Sequence, residues 1–150
     1  MKGSNTLIEI YNTLFIIKRL FEAKNKNIEW VVTGSASSVI RKESECCNDI
    51  DIIVDISHVH EIDEILNAFR IEQMSYSSLE DIRSFYGKYK IGGVLIDIMS
   101  NVENKVDKNW IAHPLLEKEL RKFEDIEIYI TSKDFENKVN EIIQSKHGQR

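Results

Sequence analysis

The stretch WVVTGSASSVIRKESECCNDIDIIVD, residues 30–55, decides the fold of this chain. Its aromatic and β-branched beginning predicts a strand that ends at Gly34, and the small residues that follow can open a short helix. Residues 50–56 are again apolar and β-branched except for Asp51 and Asp55, which predicts a mostly buried strand. The stretch therefore predicts a strand, a tight turn, a helix and a strand that brings aspartates beside the turn.

Helices and strands on either side of this stretch follow from the spacing of apolar residues. Between residues 7 and 21 they recur at three- and four-residue steps, which predicts an amphipathic helix. A second such stripe, residues 62–69, follows Ser57, which can serve as its N-cap. Residues 83–90 and 94–99 flank a turn with two consecutive glycines and predict an antiparallel hairpin.

The sequence of the last third of the chain predicts one strand between two helices. Residues 110–123 can hold a helix that begins near Pro114, because proline is tolerated in a first helical turn. Residues 126–130 predict a short strand at the edge of the sheet. Thr131 or Ser132 then caps a final amphipathic helix. Together the elements predict an α/β (α+β) chain with a mixed β-sheet and helices packed against it.

Length and charge limit the classes of protein to consider. A chain of 150 residues fits one ordinary domain, residues 1–150, which buries roughly two-thirds of its extended surface. A formal net charge of -5 and a pI near 5.4 argue against a general nucleic-acid coat, because such binding needs many cationic side chains. A local basic patch is still compatible with this net charge.

The sequence predicts a cytoplasmic protein that makes no contact with a membrane. No apolar run approaches the roughly 20 residues that span a bilayer, and the amino terminus does not resemble a signal peptide. The two cysteines, Cys46 and Cys47, are adjacent, so they cannot link distant segments or form a thiolate metal site.

Three aspartates predict a metal site. Asp49 and Asp51 are two residues apart, so on a strand their carboxylates share a face, about 6.6 Å apart by strand rise. Asp55 has the same parity but lies about 13 Å beyond Asp51, which is too far to share the ions. Asp97 stands alone in the apolar run of residues 94–99, and a buried carboxylate needs a partner. If the two strands are neighbours, the three acids converge on Mg²⁺ or Mn²⁺ rather than Zn²⁺.

The turn at Gly34 and Ser35 supplies the complementary part of the predicted site. Glycine lets the backbone approach a phosphate closely, while Ser35 and the following helix offer hydrogen-bond donors. A nucleoside triphosphate, ATP or another NTP, can bridge such a turn and carboxylate-bound metals. Two metals there would stabilise the attacking and leaving oxygens of an in-line displacement at the α-phosphate.

The chain resembles the nucleotidyltransferase superfamily, which includes DNA polymerase beta, in one set of residues: Gly34-Ser35 after a strand, Asp49-Ile50-Asp51 on the next strand and Asp97 on a later one. It is most similar to the small stand-alone members, a group with antibiotic-modifying enzymes and toxin-antitoxin components. The resemblance implies that Asp49 and Asp51 bind the metals. It also implies that Asp97 completes the site and helps to activate an acceptor hydroxyl, while Gly34 and Ser35 hold the β- and γ-phosphates.

Two departures from the family pattern leave the function open. Ser38-Val39 stands where many small members carry Arg-Gly, and Asn48 stands where they carry Ser before the first acid. Arg41 is then a candidate substitute contact to phosphate. The leading hypothesis is an enzyme that moves a nucleoside monophosphate from an NTP to a hydroxyl and releases pyrophosphate. The alternative is a non-catalytic nucleotide-binding or protein-interaction module, and a third reading is a cation site without a nucleotide role.

The acceptor stays undetermined. No second, substrate-recognising domain is expected within the chain, so the acceptor can be a small molecule, a protein or an RNA end, and a homodimer or a partner protein can complete the site. Lys88 and Lys90 alternate with Tyr89 on the predicted hairpin and could face a nucleotide or an acceptor, although exposed lysines more often guard a sheet edge. His58 and His60 are expected at a solvated helix start.

Overall fold

A computed structural model describes residues 4–147, which form one mixed β-sheet with helices packed against it. The helices are α1 (Leu7–Lys24), α2 (Gly34–Ile40), α3 (Val59–Ile65) and α4 (Lys133–His147). The strands are β1 (Asn5–Thr6), β2 (Trp30–Thr33), β3 (Cys46–Cys47), β4 (Asp49–Val54), β5 (Arg70–Ser78), β6 (Ile82–Ile91), β7 (Val94–Val106), β8 (Asn109–Ala112), β9 (Lys118–Phe123) and β10 (Ile126–Thr131).

The main sheet has eight strands, of which seven follow the order β5-β6-β7-β4-β2-β10-β9, and β8 pairs with β7. The pairs β4–β7 and β2–β10 are parallel, while the other neighbours in this sheet are antiparallel. The short strands β1 and β3 pair separately. This architecture confirms the α/β (α+β) class and the mixed sheet. Within the described residues, no helix is both long and apolar enough to cross a membrane.

The helix α1 forms where its periodicity predicts and covers one face of the sheet. Thr6 and Glu9 form a capping box, in which the Glu9 N–H donates to Thr6 Oγ1 and the Thr6 N–H donates to Glu9 Oε1. Its inward side chains join the apolar residues of β2, β4, β7 and β10 in the core. Those of Ile10, Leu14 and Ile17 are fully buried, which fits a stripe of residues at helical spacing.

The predicted hairpin is present as β6 and β7. Gly92 and Gly93 form its turn with φ of 56° and 86°, and positive φ at two consecutive positions suits glycine. The structure extends β7 to Val106, where it pairs with β8. It also adds β5, a strand without an apolar pattern and with mostly exposed residues, beyond β6.

Three local predictions are wrong. Residues 110–123 do not form a helix, because they supply β8 and β9, which pair with β7 and β10. The strand β10 is not an edge strand, since it lies between β2 and β9. Ser57 is not an N-cap. Its N–H instead donates to Asp55 Oδ2 at 2.9 Å, and a short 3₁₀ turn precedes α3. At the last helix Ser132, rather than Thr131, accepts from a first-turn N–H.

Candidate active site

Parallel pairing of β4 with β7 brings three carboxylates together. Asp51 lies opposite Asp97 in the register, and Asp49 precedes Asp51 by two residues on the same face. Each residue offers a carboxylate oxygen, and the three oxygens lie within 4.8 Å of one another. Asp97 is only 9% exposed. The neighbouring apolar residues, which made these segments strands, therefore also hold the acids close together in a partly desolvated place.

Burial and neighbouring acids raise the proton affinity of Asp49 and Asp51. Burial, and then the charges of Asp49 and Asp97, raise the pKa of Asp51 to about 7. Burial and the neighbouring Asp97 also raise the pKa of Asp49, while the cationic Lys88 nearby acts in the opposite direction. A cluster of like charges in this environment favours either a bound proton or a bound cation.

Gly34 begins α2 directly after β2 and lies against this cluster. Its φ is +67°, and a Cβ atom at this position would lie 3.0 Å from Asp51 Oδ2. Glycine is therefore required both for the left-handed backbone and for the close approach of the turn to the carboxylate. Ser35 is the next residue and is exposed. The structure thus brings the predicted turn next to the predicted acids.

Cys47 packs beneath the same region. Burial, with the charges of Asp49 and Asp51, raises the pKa of its thiol to about 11, and a hydrogen bond with Ser35 acts the other way. The thiol therefore stays protonated at neutral pH, and Cys47 serves as a packing residue.

Arg41 does not lie at the turn. Its side chain is 3% exposed, and it donates to the backbone oxygen of Thr131 and, at 3.4 Å, to Glu136 Oε2. Ser37 Oγ lies 2.6 Å from the Gly34 carbonyl oxygen and 2.6 Å from Glu136 Oε2. These contacts bind α2 to α4, so Arg41 is a buried bridge between helices instead of the substitute phosphate contact considered from the sequence.

The neighbouring strand β6 adds side chains that the sequence reasoning missed or left open. Tyr86 Oη donates to Asp97 Oδ1 at 2.5 Å. Lys88 lies opposite Asp97 in the register and is half-buried, whereas Lys90 is exposed. Neither lysine guards an edge, because β5 lies outside β6. Counting back from the glycine turn would have found Tyr86 and Lys88, since alternate residues of a strand share a face.

Other candidate features lie outside the acid cluster. His58 Nδ1 lies 3.3 Å from Glu61 Oε1, and among the described residues neither His58 nor His60 belongs to a group of potential metal ligands. In the part of the chain that the structure describes, the three aspartates are the one group of three or more potential metal ligands. A cleft of about 660 Å³ is lined in part by the end of β4 and the middle of β7, but none of the three aspartates lines it.

Comparisons with known proteins agree with the geometry. No protein-family model matches the sequence, and no curated protein matches it. The matching solved structures include a candidate nucleotidyltransferase from Thermotoga maritima, with a TM-score of 0.75 and 26% identity. The match covers 89% of this chain and 85% of that chain. This chain has a nucleotidyltransferase-like fold. The resemblance predicted from the sequence is confirmed at the level of the fold.

The residues of this nucleotidyltransferase-like fold suit a divalent cation. The ligand set of Asp49, Asp51 and Asp97 contains only carboxylate oxygens, which are the ligands that Mg²⁺ and Mn²⁺ prefer. The pKa of Asp51 is raised by burial and then by the negative charges of Asp49 and Asp97. A cation held there would relieve this repulsion, and Ser35 of the adjoining turn is exposed.

Proposed function

We propose that the protein is a metal-dependent nucleotidyltransferase, which moves a nucleoside monophosphate from an NTP to a hydroxyl group and releases pyrophosphate. One observation carries the proposal: three carboxylates converge within 4.8 Å beside a glycine turn, in a chain with a nucleotidyltransferase-like fold. The proposal includes Mg²⁺ or Mn²⁺ as the metal, ATP or another NTP as the donor, and the cytoplasm as the place of reaction.

The proposed roles follow from the position of each residue. Asp49, Asp51 and Asp97 would hold the metal, which when bound offsets the charge that develops on the phosphoryl group and on its attacking and leaving oxygens. Gly34 and Ser35 would hold the β- and γ-phosphates through backbone and hydroxyl donors. Asp97, the carboxylate nearest to β6, would accept the proton of the acceptor hydroxyl.

Isosteric variants of the cluster test this proposal. The protein is incubated with NTPs, Mg²⁺ and candidate acceptors, namely small molecules, proteins and RNA ends, and pyrophosphate release is measured. Asp49→Asn together with Asp51→Asn should abolish release. The matched control is Asp55→Asn, which lies just after β4 and outside the cluster. This variant should stay folded, because asparagine can still cap the following turn. Full turnover in the double variant would refute the assigned roles.

A second candidate is a nucleotide-binding or interaction module without turnover, alone or as a homodimer or with a partner protein. The position of Arg41 favours it, because the guanidinium is buried against α4 and adds no charge at the phosphate turn. Calorimetry separates the two candidates from the third reading. NTP binding without pyrophosphate release supports the module. Cation binding without NTP binding supports a simple metal site, and neither kind of binding supports an interaction protein.

A further inference from the structure

The carboxylate assigned as the proton acceptor already has a hydroxyl bound to it. Tyr86 Oη donates to Asp97 Oδ1 at 2.5 Å. A general base must lie within hydrogen-bond reach of the proton that it removes, and this pair meets that requirement. We propose that Tyr86 is itself an acceptor, so that the chain attaches a nucleoside monophosphate to its own Tyr86. This inference rests on the proposed function.

The order of strands supports an attack by Tyr86 from the correct side. Across the sheet the order is β2-β4-β7-β6, so the turn at Gly34, which follows β2, and Tyr86, on β6, flank the acids on opposite sides. In an in-line displacement the attacking and leaving oxygens lie on opposite sides of the phosphorus. A triphosphate with its β- and γ-phosphates at Gly34 would present the α-phosphate between the turn and the tyrosine.

The position of Tyr86 is also fixed and close. Its strand lies inside the sheet between β5 and β7, and the side chain is half-buried. The carboxylate that it contacts belongs to the group whose oxygens lie within 4.8 Å of one another. The hydroxyl is therefore held one hydrogen bond away from one of the proposed metal ligands, Asp97. Lys88, two residues along the same face, adds a positive charge beside the place where negative charge would develop.

The proposed step balances without a further reactant. A bond forms between Tyr86 Oη and the α-phosphorus, and the bond from that phosphorus to the oxygen that bridges to the β-phosphate breaks. Pyrophosphate leaves, and the hydroxyl proton passes to Asp97. Nothing is oxidised or reduced, and the product is a tyrosyl phosphodiester.

The competing explanation is that Tyr86 only orients Asp97, as groups that hydrogen-bond to metal ligands commonly do. The two explanations differ in a covalent product. The intact protein is incubated with Mg²⁺ and each NTP in turn, digested with trypsin and analysed by mass spectrometry. We expect the peptide of residues 84–88, released by cleavage after Arg83 and Lys88, to gain the mass of one nucleotidyl group on Tyr86, with at most one group per chain.

Variants locate the modification and its catalyst. Tyr86→Phe should lose the label but keep the aromatic packing. The control Tyr76→Phe, which changes an exposed tyrosine of β5, should keep the label. The double variant Asp49→Asn, Asp51→Asn should not attach a nucleotidyl group to Tyr86. Mixing a tagged, inactive double variant with the active chain should leave the tagged copy unlabelled, because the step is intramolecular.

Four results would overturn the inference: an unmodified 84–88 peptide in the active chain, a label on another residue that persists in Tyr86→Phe, labelled Tyr86 in the double variant, or a labelled tagged copy. Measuring pyrophosphate release distinguishes failure of the Tyr86 inference from failure of the proposed function. Release onto another acceptor with Tyr86 unmodified removes only the inference. Absence of release, label and NTP binding removes the proposed function as well.

Discussion

At the scale of single residues, Asp51 makes the stability of the metal-free protein depend on pH. Its pKa is raised from 3.8 to about 7 in the folded chain, so the folded state holds the proton more tightly than the unfolded state. The resulting stabilisation is full below about pH 4 and is lost as the pH rises through about 7. We therefore expect the free energy of unfolding of Asp51→Asn, taken relative to that of the parent, to be higher at pH 8 than at pH 5. The change in this difference should be on the order of a few kcal/mol.

Urea unfolding in the presence of a chelator checks this prediction, with the free energy of unfolding of both proteins compared at the two pH values. Comparing the variant with its parent removes the contribution of titrating groups that do not interact with Asp51. An identical difference at pH 5 and pH 8 would mean that Asp51 does not carry the raised pKa.

Gly34 is the second residue whose identity the site requires. Gly34→Ala strains a backbone with φ of +67° and places a Cβ atom 3.0 Å from Asp51 Oδ2, so we expect a loss of about 1–2 kcal/mol from the strained backbone and weaker binding of the cation. Gly93→Ala is the control, because its φ is +86° and its Cβ would meet open space. Equal effects of the two variants on Mg²⁺ affinity, measured by calorimetry, would rule out the proposed contact between turn and carboxylate.

At the scale of elements, α4 supports the site through α2. Glu136→Ala removes the carboxylate that contacts Ser37, Thr131 and the buried Arg41, and it leaves Arg41 buried without that counter-charge. We expect a loss of about 3 kcal/mol in the free energy of unfolding. Glu141→Ala, at an exposed position of the same helix, should change it by less than about 0.5 kcal/mol. Similar losses in both variants would contradict the role of the bridge.

The elements that the sequence predicts correctly are those whose signal is local. Helix α1 has a long apolar stripe, and the β6–β7 hairpin has two glycines that take positive φ. Strands β5, β8 and β9 have weak local patterns and exist through pairing with β6, β7 and β10. Propensity alone could not find them, because the pairing partners lie elsewhere in the chain.

The acid cluster was predictable because alternation on one strand places Asp49 and Asp51 on the same face, and burial singles out Asp97. Its neighbours were harder to predict. The destination of Arg41 depends on where α4 packs. The contact of Tyr86 with Asp97 depends on the register of β6 against β7. Hydrophobic patterning of either strand alone does not give this register, which the length of the glycine turn sets.

At the scale of the whole molecule, binding of a cation should stabilise the fold. The sheet holds three acids together on the neighbouring strands β4 and β7, and a ligand that binds only the folded state raises its stability by mass action. We expect Mg²⁺ or Mn²⁺ to raise the melting temperature, by several degrees at saturation. Thermal unfolding of the Asp49→Asn, Asp51→Asn variant should show no such rise. An equal rise in both proteins would place the cation elsewhere.

The central claim is that the chain transfers the α-phosphoryl group of an NTP together with its nucleoside. The most direct measurement compares two samples of the same NTP, labelled at the α- or the γ-phosphate, after incubation with the protein, Mg²⁺ and a mixture of protein, RNA and small-molecule acceptors. We predict that the α-label becomes covalently attached to an acceptor and that the γ-label is recovered in pyrophosphate. Transfer of the γ-label to an acceptor, or attachment of neither label, would contradict the claim.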